Sequence, residues 1–402
     1  MNASASEILS KILAPQGILT VTTGAGDMAT FLRRRYGTQE ADEINGLWRA
    51  DLERIRDARA VILGVPIDTA GFDKGQGKGP LGIRMRLLSA GVYDDFPAAG
   101  VVDIGDCRNH PLLVHDELLN QDTLDSVRDA RWGTREEPMP VAPLSILERA
   151  LQEIWTLNPG ARVLLLGGDH GLSWMPFRIM EAMNRNPDKD LGILHFDAHT
   201  DLMSARDGVS ISFATWAHHA NTLIGAQGRL QQVGIRISGK SKTHWETSHE
   251  VRQFWADEVQ ARGAAAVATE LVQNLRSAGV RKVWISNDID GTDPRWAAST
   301  GTLEPNGLTP ADVHHIIAQV GAAFEVIGGD VVEVAPVLRG HIEGEPLRTL
   351  DTAAGYVLAQ LDMCLGDSNL APKIPVPAPA KEDTVWETPL LSLPNESTYA
   401  GE

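Results

Sequence analysis

Three short segments of the chain place acidic and imidazole side chains directly after an apolar run. The side chains that could do chemistry there are, in chain order, Asp169 and His170, then Asp197, His199 and Asp201, then Asp288, Asp290 and Asp293. Alternate residues of an extended strand point the same way, so Asp197, His199 and Asp201 can face a single point. Asp288 and Asp290 can do so for the same reason. The pattern predicts one site that gathers carboxylates and imidazoles.

Carboxylates gathered in this way need a compensating charge. Without one they raise each other's pKa values, and burying them for structure alone is costly. Divalent cations remove this cost, and mixed Asp and His ligands suit Mn²⁺, Ni²⁺, Co²⁺, Fe²⁺ or Zn²⁺ better than Ca²⁺ or Mg²⁺. We therefore expect divalent metal ions at this site, with their ligands among these Asp and His side chains. His195 lies inside an apolar strand and is expected to be structural.

The elements that must position these side chains alternate between short apolar strands and longer amphipathic helices. The strands are predicted at Ala60–Val65, Val101–Gly105, Val163–Leu166, Leu191–Phe196, Gln232–Ile237, Lys282–Ser286 and Asp330–Val334. Ser145 with Glu148, and Thr309 with Asp312, have the spacing of helix starts. The alternation predicts an α/β fold with a central, mostly parallel sheet and helices on both faces. In such a sheet the carboxyl ends of the strands line one crevice, where the three segments can meet.

The bulk composition bounds the class of protein. The chain has 402 residues and a formal net charge of −17, which disfavours nucleic acid and anionic membranes as partners. Cys107 and Cys364 are too few for a disulfide framework or a cysteine zinc site. The sequence has no apolar run of about 18 residues and no secretory signal pattern, so we expect a cytoplasmic protein.

The chain is predicted to have three parts. Residues 1–58 precede the first predicted strand and form an N-terminal extension, residues 59–365 form the catalytic domain, and residues 366–402 form a tail. The tail contains APKIPVPAPAK, whose alternating prolines favour an extended, polyproline-like path.

The motifs GGDHG, DAHTD and SNDIDGTDP resemble, in order and spacing, the three metal motifs of the ureohydrolase superfamily, which includes arginases and agmatinases. The resemblance extends from about Ala60 to Leu361 and includes GVPIDTAG and GGDVVEVAP. It implies a three-layer α/β/α fold of the arginase type, and hydrolytic cleavage of a guanidino C–N bond.

The resemblance also implies roles for the site residues. One metal ion would be held by His170, Asp197, Asp201 and Asp288, and the other by Asp197, His199, Asp288 and Asp290. Two ions would lower the pKa of a shared water from about 15.7 toward roughly 7 and so supply hydroxide for attack on the guanidino carbon. Glu333 occupies the position that holds the substrate nitrogens by charge-assisted hydrogen bonds. Asp201 or Asp290 is expected to accept the first proton from the attacking water.

One departure from the family pattern lies downstream of DAHTD. Agmatinase-like members usually carry a His-Gly-Thr segment there, whose His is thought to shuttle protons, whereas this chain has SISFATWAHHA, with Phe213 or Ala214 at that position. His218 and His219 lie close by as candidate substitutes, although a helical register could equally point them elsewhere. The candidate substrate-binding residues are Glu333, Thr215, Trp216 and His218. A Trp face would attract a cationic substrate by about 0.5–2 kcal/mol.

The substrate is expected to be a small cationic guanidino compound. The stretch Gly71–Pro80 replaces the more usual agmatinase-type stretch, and an arginase-type amino-acid-binding loop is not evident between Asp201 and Val233. These features resemble the branch that acts on free guanidine or on small relatives such as metformin, and that uses nickel. We expect guanidine hydrolysis to urea and ammonia, with metformin, agmatine and guanidino acids as alternatives. The expected cofactor is Ni²⁺, with Mn²⁺ as the alternative.

A different class of function is a catalytically silent subunit within a mixed hexamer. Such subunits typically lose metal ligands, whereas all six are present here. The family forms trimers and hexamers, so the resemblance implies a homo-oligomer.

Overall fold

The computed structural model describes residues 4–15, 25–69, 73–136, 138–381 and 385, and a nine-stranded sheet runs through this part of the chain. Its strands are β1 (Leu13–Ala14), β2 (Ala60–Val65), β3 (Val101–Cys107), β4 (Arg162–Gly167), β5 (Leu191–Phe196), β6 (Leu230–Val233), β7 (Arg252–Phe254), β8 (Lys282–Asp288) and β9 (Glu325–Val332). Their spatial order is β1-β3-β2-β4-β9-β8-β5-β6-β7. Every pairing is parallel except that of β1 with β3, so the predicted mostly parallel sheet is confirmed.

Helices occupy the connections between these strands, as crossovers between parallel strands require. Those in the described residues are α1 (Ala5–Ile12), α2 (Ala25–Tyr36), α3 (Ala41–Glu53), α4 (Gly79–Ser89), α5 (Phe96–Ala99), α6 (Gln121–Trp132), α7 (Pro143–Leu157), α8 (Met175–Ala182), α9 (Trp216–Ile224), α10 (Lys242–Ser248), α11 (Ala256–Arg262), α12 (Ala264–Ser277), α13 (Pro310–Ala323) and α14 (Leu347–Leu365). None of them has the length and apolar character needed to cross a lipid bilayer.

The sheet has a hydrophobic core on each face. Along β4, Leu164 and Leu166 pack into one core, which includes residues of α4, α12, α13 and α14. Val163 and Leu165 pack into the other, which includes residues of α1, α3, α7, α8 and α9. This alternation explains why the strand sequences are continuously apolar, since both faces are covered. The predicted three-layer arrangement is confirmed.

The two predicted helix starts had different outcomes. Thr309 forms a capping box with Asp312 at the start of α13, as predicted. The start predicted at Ser145 is wrong, because α7 begins at Pro143 and has Ala142 as its N-cap. Proline at the first helical position fixes a helical φ and has no N–H to satisfy, so the N-cap lies three residues earlier than predicted. The Ser145 hydroxyl instead accepts a hydrogen bond from the Asp116 backbone at 2.9 Å.

Two strands end earlier than the sequence predicted, at residues with positive φ. The strand predicted at Gln232–Ile237 ends at Val233 because Gly234 has a φ of 101°. The strand predicted at Asp330–Val334 begins at Glu325 and ends at Val332, and Glu333 has a φ of 62°. A backbone with positive φ cannot continue a strand, so the chain turns after β6 and after β9.

The described part of the N-terminal extension packs onto the sheet. In β1, Leu13 pairs antiparallel with Cys107 at the outer edge of β3. The Trp48 indole of α3 donates a hydrogen bond to the Ile104 carbonyl at 2.8 Å. Residues 1–3 and 16–24 of the extension, and residues 70–72 of the glycine-rich stretch, lie outside the described residues. The extension is therefore attached to the edge of the sheet.

The described part of the C-terminal tail also lies against the domain. The backbone N–H groups of Leu370 and Ala371 donate to the Asp362 carboxylate at 2.8 and 2.9 Å, and that of Ala380 donates to the Arg295 carbonyl at 2.6 Å. Residues 382–384 and 386–402 of the predicted tail lie outside the described residues. The boundary placed at residue 366 remains a prediction.

Candidate metal centre

The three motif segments follow strands that lie close together in the sheet. Strands β4, β9, β8 and β5 are adjacent in that order. The GGDHG motif follows β4, DAHTD follows β5, β8 ends at Asp288, and Glu333 comes directly after β9. Because the carboxyl ends of parallel strands meet at one edge, these segments converge in one crevice. The structure thus brings together the six side chains predicted as metal ligands.

His170 is surrounded by carboxylates. Its Nδ1 atom lies 3.3 Å from Asp197 Oδ2, 3.3 Å from Asp201 Oδ2 and 3.1 Å from Asp288 Oδ2. Burial lowers the pKa of this imidazole, but the three neighbouring carboxylates outweigh burial and hold the pKa well above its usual range. His170 and its three neighbours therefore form the first cluster of potential ligands.

His199 lies in a second cluster beside the first. Its Nδ1 atom is 3.4 Å from Asp197 Oδ1 and 3.2 Å from Asp290 Oδ2. The two oxygens of Asp197 thus face different imidazoles, Oδ2 toward His170 and Oδ1 toward His199. Asp197 can therefore serve both clusters, as a carboxylate between two cations would.

The donor set of these clusters fits divalent transition metals. The His170 Nδ1 atom is buried and has no hydrogen-bond partner in the described part of the chain, although three carboxylates face it. Burial, together with the charges of Asp290 and Asp197, raises the pKa of Asp288 well above its usual range. Such unbalanced negative charge beside an unpaired imidazole nitrogen is what divalent cations would relieve.

Hydrogen bonds at Nε2, the nitrogen that faces away from the carboxylate cluster, fix the orientation of the His170 imidazole. The Ser286 hydroxyl donates to Asp330 Oδ1 at 2.7 Å and lies 2.9 Å from His170 Nε2. Because the Ser286 proton is used on Asp330, Nε2 must be the donor to Ser286. In the neutral imidazole, the Nδ1 lone pair therefore faces the carboxylate cluster. A histidine that binds metal is commonly oriented by a partner on its other nitrogen in this way.

Replacing Ser286 with alanine is expected to lower metal affinity roughly 10- to 100-fold, because His170 loses the partner that fixes its tautomer and orientation. Competition with a chromogenic chelator measures the affinity. Ser299→Ala is the matched control, since Ser299 is a buried serine whose hydroxyl bonds Leu338 and Glu345 instead. Equal losses of affinity in the two variants would contradict a specific role for Ser286.

His195 supports Asp197 in a similar way. The Gln232 side chain donates to His195 Nδ1 at 3.0 Å, and His195 Nε2 lies 2.8 Å from Asp197 Oδ2. Since Nδ1 accepts, Nε2 carries the proton and donates it to Asp197. Gln232 is itself fixed, because its amide also donates to the Thr200 carbonyl at 2.7 Å and accepts from Gln253 at 2.8 Å.

Two residues of the site have a left-handed backbone that non-glycine residues seldom adopt. Asp201 has a φ of 49° and Glu333 a φ of 62°. Glu333 Oε1 accepts a hydrogen bond from the His170 backbone at 2.8 Å, which ties it to the first cluster. Burial and the nearby charge of Asp169 raise the pKa of Glu333 well above its usual range. Strained backbone of this kind concentrates at functional sites, where the surrounding structure maintains it.

A cavity of about 780 Å³ opens over these residues. Its buried lining includes ligand candidates together with Glu333 and Gln76. Its outer, more exposed lining includes the largely apolar side chains Met203, Phe213, Ile237 and Trp245, and the cations Arg206 and Lys240. The cavity therefore gives a small molecule access to the cluster of Asp and His side chains.

Three residues predicted to bind substrate are not among the described residues that line this cavity, namely Thr215, Trp216 and His218. The Thr215 hydroxyl is buried and donates to Ser210 and Ser212 carbonyls. Trp216 is buried behind the cluster, where its indole donates to Asp201 Oδ2 at 3.0 Å and its ring packs on His170 at 4.6 Å. His218 lies in α9, beside His249. Phe213 and Ala214 reach the cavity instead.

Sequence reasoning missed the residues that support the cluster. Ser286 stands two positions before Asp288 on β8, and a two-residue spacing on a strand puts both side chains on one face. This signal could have identified Ser286. No comparable signal identifies Asp330 or Gln232, whose partners come from distant parts of the chain.

The motifs, the sheet and the site can be compared with known proteins. A model of the Arginase family matches residues 58–354. The chain belongs to the arginase family. The agmatinase of Bacillus anthracis is 30% identical over 287 residues, 70% of this chain and 85% of that protein. The guanidinobutyrase of Pseudomonas aeruginosa is 29% identical over 288 residues, 69% of this chain and 79% of that protein.

A solved structure of another amidino hydrolase has the same fold. Proclavaminate amidino hydrolase from Streptomyces clavuligerus superposes with a TM-score of 0.58 at 25% identity, covering 76% of this chain and 92% of that chain. The chain is accordingly an arginase-family hydrolase that acts on amidino C–N bonds. The predicted superfamily is confirmed, while the guanidine and metformin branch remains a prediction.

Proposed function

We propose that this arginase-family chain hydrolyses its guanidino substrate at two divalent metal ions held by the six clustered side chains. One ion is held by His170, Asp197, Asp201 and Asp288, and the other by Asp197, His199, Asp288 and Asp290. The divergence of the two Asp197 oxygens toward His170 and His199 supports this division. When bound, the ions supply a nucleophile at neutral pH by lowering the pKa of water.

Glu333 holds the guanidinium in this proposal. Its bond to the His170 backbone fixes the carboxylate beside the cluster. Burial and the charge of Asp169 raise its pKa, so a cation beside it would stabilise the charged carboxylate. A guanidinium ion supplies that cation and donates charge-assisted hydrogen bonds to the carboxylate. Asp201 or Asp290, which both line the cavity, accepts the proton from the attacking water.

We infer that the substrate is free guanidine, converted to urea and ammonia with Ni²⁺ as the favoured metal and Mn²⁺ as the alternative. The observation that carries this inference is the distribution of charge along the cavity wall. Among the described lining residues, the carboxylates outside the metal cluster are Glu333 and Asp73, and Asp73 pairs with Arg339 at 3.1 Å. A second cationic group on the substrate, such as the ammonium of agmatine, would therefore find no free counter-charge.

Two observations favour other small guanidino compounds as second candidates. Arg206 and Lys240 line the outer cavity and form no ion pair within the described residues, so they could bind the carboxylate of a guanidino acid. Met203 and Phe213 line the same cavity and could contact the methyl groups of metformin. Neither observation favours agmatine.

Steady-state kinetics with guanidine, metformin, agmatine, 4-guanidinobutyrate and arginine test the proposal, with the protein loaded separately with nickel and with manganese. We expect guanidine with nickel to give the highest kcat/KM. Agmatine should be at least roughly tenfold poorer, because its ammonium lacks a buried partner. A preference for agmatine would contradict the proposal, and a preference for 4-guanidinobutyrate would replace guanidine by a guanidino acid.

The silent-subunit alternative predicts a different metal content. A non-catalytic partner of a mixed hexamer would purify nearly free of metal, whereas the intact set of six side chains supports binding. We further propose a cytoplasmic homo-oligomer, a trimer or hexamer, whose mass light scattering would measure.

A further inference from the structure

Two buried side-chain atoms on the cavity wall have no hydrogen-bond partner in the described structure. They are His170 Nδ1 and Gln76 Oε1. The first is accounted for by a metal ion under the proposed function. Gln76 Oε1 still needs an explanation. A buried amide oxygen without a hydrogen-bond partner destabilises the folded state, so such atoms are rare in native proteins. Gln76 is only 1% exposed, so bulk water does not readily satisfy it.

The glutamine amide is held in a fixed orientation. Its Nε2 donates to the Asp73 carbonyl at 3.2 Å, which leaves Oε1 as the free end. Close packing at Gly79 holds the following helix against the site, since a Cβ there would lie 2.6 Å from the Val334 carbonyl and 2.9 Å from that of Gly167. Val334 follows Glu333, so the segment carrying Gln76 is anchored beside the carboxylate proposed to hold the guanidinium.

We propose that Gln76 Oε1 accepts an N–H hydrogen bond from the substrate guanidinium and so determines specificity. This inference rests on the proposed function. Glu333 can take N–H groups from two guanidinium nitrogens in the bidentate manner of carboxylates, and Gln76 takes one from the third. An amide is suited to this place because it accepts a hydrogen bond without adding negative charge to an already crowded cluster.

The consequence for specificity is a requirement for hydrogen on the third nitrogen. A dimethylated nitrogen has no N–H, so it would leave Gln76 Oε1 buried and unpaired. A site built to bind an N–H discriminates strongly against an analogue that lacks it. Gln76 thus selects guanidine over 1,1-dimethylguanidine.

The test compares Gln76→Leu with a matched control, Gln231→Leu. Gln231 is also buried, donates from Nε2 to a backbone carbonyl, Gly228, at 2.6 Å, and has an unpaired Oε1, but it lies in β6 and is not among the described lining residues. Values of kcat and KM for guanidine and for 1,1-dimethylguanidine are measured on nickel-loaded protein, together with metal content.

We expect Gln76→Leu to lower kcat/KM for guanidine roughly 10- to 100-fold, and that for 1,1-dimethylguanidine much less, at unchanged metal content. Gln231→Leu should leave the ratio of the two substrates unchanged. Gly301→Ala is a second variant that retains Gln76, because a Cβ there would lie 2.5 Å from Gln76 Nε2 and displace the amide. Gly301→Ala should likewise lower the ratio of kcat/KM for guanidine to kcat/KM for 1,1-dimethylguanidine.

The outcomes separate this inference from the proposed function. If wild-type protein hydrolyses no guanidino compound, the proposed function fails. If wild-type protein hydrolyses guanidine and Gln76→Leu gives the same substrate ratio as Gln231→Leu, the role of Gln76 alone is overturned.

Discussion

Replacing Asp288 with asparagine should lower kcat/KM of the metal-loaded protein roughly a thousandfold or more. Asp288 is proposed to bridge both ions, and charge stabilisation through such ions contributes several kcal/mol. Asparagine keeps the shape of the side chain but removes its charge, while the Asp288 Oδ1 bond from the Asp290 backbone, 2.9 Å long, can persist. Kinetics with guanidine and elemental analysis of bound metal check the result. Full metal content with unchanged activity would contradict the proposed bridge.

Asp288→Asn should also change the melting temperature, in opposite directions for the metal-free and the metal-loaded protein. Burial and the charges of Asp290 and Asp197 raise the pKa of Asp288, so its carboxylate is destabilising when no cation is present. Asp288→Asn should therefore melt higher than wild type without metal and lower with it. Asp190→Asn is the control, because Asp190 is buried but bonds Arg281 at 2.8 Å and should destabilise both forms. A lower melting temperature for Asp288→Asn in both forms would indicate a packing defect instead.

Removing the metal by chelation should abolish hydrolysis and lower the Tm on the order of 10 °C at pH 8. The loss should be smaller at pH 5.5. A buried carboxyl with a raised pKa, such as Asp288 or Glu333, contributes stability that is full below its unfolded pKa of about 4 and is lost as the pH rises toward the folded value. The metal-free protein therefore weakens with rising pH.

The stability of the metal-loaded protein relative to the metal-free protein should increase as the pH rises. The metal ligands must be deprotonated to bind, so metal affinity rises with pH. The raised pKa of His170 adds to the contrast, because metal-free protein loses the stability of the protonated imidazole as the pH rises above about 6.5. Calorimetry from pH 5.5 to 8 on loaded and chelated protein measures the gap in Tm. A Tm difference that stays constant or decreases from pH 5.5 to pH 8 would contradict this account.

The convergence of the six candidate ligands could be predicted from sequence because local rules determine it. Continuous apolar runs predict strands buried on both faces, and parallel strands bring their carboxyl ends to one edge. Alternate spacing then places Asp197 and His199, or Asp288 and Asp290, at the same point. These rules need no knowledge of loop conformation, and the structure brings all six side chains together.

The pocket could not be predicted in the same way. Thr215 and Trp216 follow a loop whose path depends on contacts with Asp201, and Trp216 is directed into the core by its bond to that carboxylate. Gln76 precedes α4, whose first residue, Gly79, packs against segments more than 80 residues away, at Gly167 and Val334. The positions of these side chains depend on tertiary packing, which the periodicity of strands and helices in the sequence does not predict.

The short antiparallel strand β1 has a consequence for solubility. Without it, β3 would present its backbone N–H and C=O groups at the outer edge of an otherwise parallel sheet, and exposed edges of this kind recruit strands from other molecules. Leu13 and Ala14 pair with Cys107 and Asp106 and so cover the end of that edge. Leu13 and Ala14 thus close the last two positions of this edge to pairing with a strand of another molecule.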